Sequence, residues 1–300
     1  MTAYPHLSPE AASWMKRDDE TRAQSIVDSR PTWFVEYPGL APIKRTVMRT
    51  LRAKPSTRGR HILLYGHSHA GKSQLIRNCV TQFRAERGIG ATSTVLPLEC
   101  TSKMDEMKFY EQLINKTGAP SLRATAVAPK RTQGLTVLQN LSVCVVVLDE
   151  LNTLTLTSYL RQKEFLAFMK YLTNSEEHRI TFICAGTHAA RSALYADREM
   201  STRFREVHVG PVENGDDFQG VLAALERDIP LARASNLKHP SLAGLLNEMS
   251  EGLVGEVAQL LEDAALRAID DGDEQVTQDV LARLDWTLPS QRRADTSHGS

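Results

Sequence analysis

Gly66-His67-Ser68-His69-Ala70-Gly71-Lys72-Ser73 is the stretch on which the reading of this chain turns. It fits G-x-x-x-x-G-K-[ST] and stands between a β-rich run, His61 to Tyr65, and a segment of helical apolar spacing, Ser73 to Glu86. The chemistry needs that context. Glycines let the backbone fold round phosphate groups and present its N–H donors, and the N-terminus of the following helix adds a favourable dipole. The spacing predicts that Gly66 to Gln74 cradle the phosphates of ATP, with Lys72 reaching the β- and γ-phosphates and the Ser73 hydroxyl on Mg²⁺. His67, Ser68, His69 and Ala70 occupy positions that contribute backbone, so the two histidines read as spacers.

Outward from this loop, further strands are expected at Thr94 to Leu98, Val143 to Leu148, Ile180 to Cys184 and Val207 to Val209. Helical spacing fills the intervals at Glu106 to Thr117, Arg161 to Leu172 and Ala189 to Tyr195. Val143 to Leu148 is continuously apolar, as a parallel strand covered on both faces requires. Strands alternating with helices predict a three-layer α/β domain with a parallel sheet. After Pro211 the spacing is helical throughout, in Asp217 to Arg227, Leu242 to Met249 and Gly255 to Ile269. The expected organisation is an N-terminal extension (1–30), a nucleotide-binding α/β domain (31–212), a smaller helical lid (213–288) and a disordered tail (289–300).

Asp149 and Glu150 follow directly on the third strand run. A carboxylate there meets the loop's metal, so Asp149 is expected to hold Mg²⁺, and Glu150 to polarise the attacking water as general base. A helix N-cap is the plainer use of such a pair. Thr187, at the end of the next strand, is the expected contact to the γ-phosphate; an ordinary N-cap competes with that role. Arg203 precedes the fifth strand, where ring ATPases of the AAA+ type place a finger aimed at the neighbour's nucleotide. Arg198 and Arg205 stand behind it, and a plain surface arginine is the alternative. Together these positions predict a P-loop ATPase of the AAA+ (ASCE) class.

The formal net charge of zero conceals a division. Glu213 to Asp285 holds sixteen acids and five bases, so the rest of the chain is strongly basic. Ile43 to Arg60 carries Lys44, Arg45, Arg49, Arg52, Lys54, Arg58 and Arg60 with no acid, and Gln112 to Leu148 carries Lys116, Arg123, Lys130 and Arg131 with none. Each run is either a solvated face or a surface for a polyanion. No apolar run approaches the roughly 18 residues of a membrane helix, and the start of the chain lacks the pattern of a signal peptide. The expectation is a cytoplasmic protein without membrane contact. Cys79, Cys100, Cys144 and Cys184 are scattered without metal-ligand spacing and read as buried thiols.

In its ordered motifs the chain resembles the TniB/TnsC group of transposition ATPases, related to the Mu phage B protein. The resemblance spans roughly Trp33 to Ile269. It rests on Glu36-Tyr37-Pro38, the glycine loop, Phe109-Tyr110 with Gly118-Ala119-Pro120, Asp149-Glu150, Arg161-Gln162 with Lys170-Tyr171-Leu172, Gly186-Thr187, Arg203-Phe204, and Ser250 through Glu256. It implies ATP-dependent assembly of a homo-oligomer, ring or filament, on double-stranded DNA. It further implies delivery of a transposase, with a target-selection protein as another partner. Lys103, in the loop after the second strand, is the first expected DNA contact, followed by Lys130 and Arg131. One departure stands out: many AAA+ proteins carry an arginine in the companion domain's conserved turn, whereas Gly255 is followed here by Glu256. Two rivals of other classes are a nucleotide-gated signalling switch, which would carry an appended effector domain, and a chaperone-type ATPase, which would carry an aromatic pore loop.

Overall fold

The computed structural model describes residues 4–54, 56, 61–88, 94–101, 104–120, 126–175 and 179–292. Lys103 and residues 293–300 of the expected tail lie outside the described residues. In chain order the helices are α1 (Pro9–Trp14), α2 (Asp19–Ser29), α3 (Ala41–Arg52), α4 (Lys72–Arg87), α5 (Glu106–Thr117), α6 (Val127–Asn140), α7 (Tyr159–Asn174), α8 (His188–Tyr195), α9 (Arg198–Arg203), α10 (Asp216–Glu226), α11 (Pro240–Ser250), α12 (Val254–Asp270) and α13 (Gln278–Ala282). The strands are β1 (His61–Tyr65), β2 (Val95–Glu99), β3 (Val145–Asp149), β4 (Thr181–Gly186) and β5 (Phe204–His208).

The chain divides into two compact units. One, Pro42–Ser68 with Lys72–Val209, contains the whole sheet, in the order β2-β3-β4-β1-β5 with every pair parallel. All six residues of β4 and the first four of β3 are buried, which requires cover on both faces and explains their unbroken apolar runs. Phe109, Tyr110, Phe165 and Phe168 pack with centroids 5.0 to 5.9 Å apart at the centre of one large core cluster. At the start of β1, buried His61 lies against Phe182 and Phe204, and its Nδ1 accepts the Phe182 N–H at 3.0 Å.

Helices α1, α2, α3, α9 and α13 are not expected from the apolar spacing, and two further elements of the sheet unit depart from the sequence reading. β5 begins at Phe204, three residues before the expected Val207, because Arg205 and Glu206 interrupt the apolar signal on an edge strand. Glu206 is held there by a two-point ion pair with Arg191, at 2.8 and 2.9 Å. Helix α6 is not announced by apolar spacing: it contains Pro129 in its first turn and Gly134 at its middle. The glycine is a notch for Tyr110, since a Cβ there would stand 2.1 Å from the ring.

The second unit comprises the chain up to Ala41, His69–Gly71, and the chain from Gly210 onward. Its core joins Ile26 of α2 to Phe218, Val221, Leu246, Val257 and Leu260 of the C-terminal helices. Arg22, 4% exposed, binds both carboxylate oxygens of Glu274 and one of Asp19. Residues 1–30, separate in the sequence reading, thus contribute side chains to the same core as α10 to α12.

Candidate functional site

The glycine loop leaves β1 through a gap that admits no side chain: a Cβ on Gly66 would lie 2.0 Å from the Val209 carbonyl oxygen. The Gly66 N–H donates to Gly186 O at 3.3 Å, and the Val209 N–H to Tyr65 O at 2.8 Å, so the loop's first residue is fixed against the ends of β4 and β5. Further on, His69 (φ 62°) and Gly71 (φ 86°) adopt left-handed backbone. Lys72 opens α4 and is 9% exposed. Its Nζ donates to the carbonyls of Gly66 (3.2 Å) and His67 (2.7 Å). Burial lowers the pKa of this ammonium, while Glu150 and Asp149 raise it.

Ser73, Glu99, Thr101, Asp149 and Glu150 line one cleft of 780 Å³. Asp149 is the last residue of β3, in register with Glu99, and its carbonyl accepts the Cys100 N–H at 2.8 Å. Glu150 sits in left-handed backbone (φ 56°, ψ 39°), unusual for a residue with a side chain. It opens the short 3-10 helix Leu151–Leu156, and its side chain makes no capping bond there. Ser73 and Asp149 offer hard oxygen donors on one cleft, the donor type a magnesium ion takes. Among the described residues no three His, Cys, Asp or Glu side chains stand close enough to hold a metal by themselves.

Thr187 follows β4, and Tyr65 and Gly186 are partners across the sheet, so Thr187 stands beside the start of the loop. It occupies the N-cap of α8 without making a side-chain capping bond. Arg203 is not brought to this group. The pairing of His61 with Phe204 puts it at the opposite end of the sheet, one strand length from the loop, or roughly 16 Å. There its Nη1 donates to Asn174 Oδ1 and, at 3.5 Å, to Thr173 Oγ1.

The expected DNA contacts fare unevenly. Lys103 falls outside the described residues. Lys130 is a correction: at 3% exposure it belongs to the interior of α6 and presents no charge to solvent. Arg131 is half-exposed but engaged, gripping both oxygens of Glu106 and lying 5.5 Å from the Tyr171 ring centroid. Arg45 and Arg49, one turn apart on α3, are exposed. Also unread in the sequence is a surface group formed where β1, β4 and β5 end. His188 lies 5.3 Å from Tyr65, 5.3 Å from His67 and 5.7 Å from His208, centroid to centroid. Only strand order brings those rings together, so no local motif could have signalled them. Burial pushes the Cys100 thiol up to about 11 and that of Cys184 well above its ordinary range.

A family model described as "Bacterial TniB protein" matches residues 26–214. No curated protein matches the chain. Among solved structures, the chain is similar to the ORC2 protein of Aeropyrum pernix, in ADPNP-ADP complexes (TM-score 0.61, 15% identity, covering 82% of this chain and 67% of that one). It is similar also to the Aeropyrum pernix ORC1 protein in complex with DNA (TM-score 0.59, 15% identity, 92% and 69% covered). A third is Cdc6p from Pyrobaculum aerophilum (TM-score 0.61, 13% identity, 80% and 65% covered). At these identities the likeness is one of fold, and the fold is that of the AAA+ P-loop ATPases. No helix among the described residues is long and apolar enough to cross a membrane.

Proposed function

The chain belongs to the bacterial TniB family and is a P-loop ATPase of the AAA+ type, and from that premise we propose that it assembles on duplex DNA when ATP is bound and recruits a transposase to the target site. The observation that carries the reading is the division of one sheet: Lys72, Ser73, Asp149 and Glu150 stand at the ends of its strands, and Arg203 at the starts.

In this reading Lys72 exchanges the Gly66 and His67 carbonyls for the β- and γ-phosphates of ATP. Ser73 and Asp149 hold Mg²⁺, which when bound offsets phosphate charge. Glu150 takes the proton of the attacking water, and Thr187 contacts the γ-phosphate. Arg203 lies too far from its own loop to serve it, so it serves a neighbour's. An interface that joins the two unlike ends of the sheet is head-to-tail, and such interfaces generate rings or helical filaments. Helices α10 to α13 act as the lid domain.

For DNA, the support is family membership, the DNA complex of the similar ORC1 protein and the basic outer face of α3. Arg45 and Arg49 on that face, with Lys103 after β2, contact phosphates, so binding is salt-sensitive and weakly selective for sequence. A target-selection protein directs the assembly. The test is negative-stain imaging with duplex DNA and ATP, a slowly hydrolysed analogue, or ADP. Rings or filaments seen with DNA and triphosphate, and lost with ADP, are expected. An unassembled protein under all three conditions overturns the reading in favour of a signalling switch.

A further inference from the structure

The turn His69–Gly71 of the glycine loop belongs to the same compact unit as α12. The first turn of that helix grips it closely. The Gly255 N–H donates to the His69 carbonyl at 2.8 Å, and a Cβ on Gly255 would stand 2.8 Å from that oxygen and 3.0 Å from the His69 Cβ. Nothing larger than glycine fits. The next residue, Glu256, is 5% exposed, and its Oε1 lies 3.5 Å from Nδ1 of His69.

A buried carboxylate beside a loop that takes a polyanionic triphosphate opposes binding unless a cation offsets it. The structure supplies one from a distant part of the chain. Arg292 donates through Nη2 to Oε2 of Glu256. Its guanidinium lies 5.2 Å from the Trp286 ring centroid, and its Nε donates to Thr287 O at 3.1 Å. Trp286 is itself anchored, its Nε1 donating to Met249 O at 2.9 Å. The arginine is therefore held in place by an aromatic face and a carbonyl as well as by its ion partner.

We propose that Arg292 is a positioning residue for nucleotide binding: it cancels the charge that the buried Glu256 carboxylate, beside His69, would otherwise set against the triphosphate. The inference rests on the reading of Gly66 to Ser73 as the triphosphate site. It gives the arginine missing from the first turn of α12 a counterpart some thirty-five residues later, acting through Glu256 rather than on the phosphates.

The test is titration of the full chain with a fluorescent ATP analogue and Mg²⁺, with thermal melting of each nucleotide-free variant as a folding control. Arg292→Ala is expected to weaken binding by about tenfold, since one uncompensated charge at short range is worth roughly one such step. Arg292→Lys retains parent affinity. Adding Glu256→Gln to Arg292→Ala restores affinity to within about threefold of the parent, because removing the carboxylate removes the need for its counter-charge. A double variant as weak as Arg292→Ala overturns the proposal, as does parent-like affinity in Arg292→Ala. If Arg292→Ala fails to fold, Glu256→Gln alone decides: parent-like or tighter binding supports the proposal, and tenfold weaker binding overturns it. Failure of the parent itself to bind overturns the nucleotide reading and this inference together.

Discussion

The Glu150 N–H donates a 2.9 Å hydrogen bond to Oδ1 of Asp149, the residue directly before it. That bond and the left-handed backbone of Glu150 separate two adjacent carboxylates. One oxygen of Asp149 is oriented by the amide at the strand end, while Glu150 is turned out of the strand's alternation and exposed. Such backbone in a non-glycine residue costs on the order of 1–3 kcal/mol and clusters at functional sites.

Glu150→Gln should therefore bind ATP as the parent does but hydrolyse it about 10²–10⁴-fold more slowly, the usual contribution of a general base. Nucleotide titration and phosphate release measure the two separately. Lys72→Ala should fail at the earlier step, losing triphosphate binding. Unchanged turnover in Glu150→Gln, or normal affinity in Lys72→Ala, would remove these residues from the mechanism.

Arg203→Ala should leave each subunit able to bind ATP yet lower hydrolysis by about 10³-fold or more, as loss of a finger does in other P-loop enzymes. The placement of Arg203 one strand length from its own loop makes the defect complementable. Mixed with Glu150→Gln, it should recover activity at interfaces that unite an intact glutamate with an intact arginine. Failure to recover at every mixing ratio would count against action across an interface.

Replacing Arg45 and Arg49 together by alanine should weaken duplex binding equally on unrelated sequences and flatten the dependence of log K on log salt by about 2, one for each phosphate left without its arginine. ATP binding should persist. A salt series that superimposes on the parent's would place the DNA surface elsewhere.

His61 gives the sheet a pH dependence. Burial, with the nearby Arg203 charge, lowers its pKa from 6.5 to about 4. The folded state thus favours the neutral ring, so this contribution to stability is fully present above pH 6.5 and declines as pH falls toward 4. The shift corresponds to roughly 3 kcal/mol at most. His61→Asn can keep an acceptor for the Phe182 N–H without titrating. Its denaturation midpoint should change less than the parent's between pH 7 and pH 4.5, and equal slopes would refute the assignment.

The glycine loop, the acid pair and the parallel strands were legible because each is local: a spacing, a dipeptide, an apolar run. β1 and α5 fall where that reading puts them, at His61–Tyr65 and Glu106–Thr117. What local pattern could not convey depends on partners distant in sequence. Gly134 reads as a helix breaker until the Tyr110 ring is seen to need its missing side chain. Lys130 counts as surface charge until α6 folds it inward. The approach of Glu256 to His69, nearly two hundred positions away, leaves no trace in spacing at all.

Both borders of the sheet resist extension. β2 carries Pro97 at its centre, which has no N–H to offer an incoming strand, and β5 carries Arg205 and the ion-paired Glu206. Neither border therefore invites another copy of this chain to continue its hydrogen-bond ladder. In the assembly proposed above, growth proceeds across the strand ends, through side chains and nucleotide. On that proposal the assembly would come apart when its bound nucleotide changes, whereas a spliced sheet would lock, and the two borders keep the reversible route open.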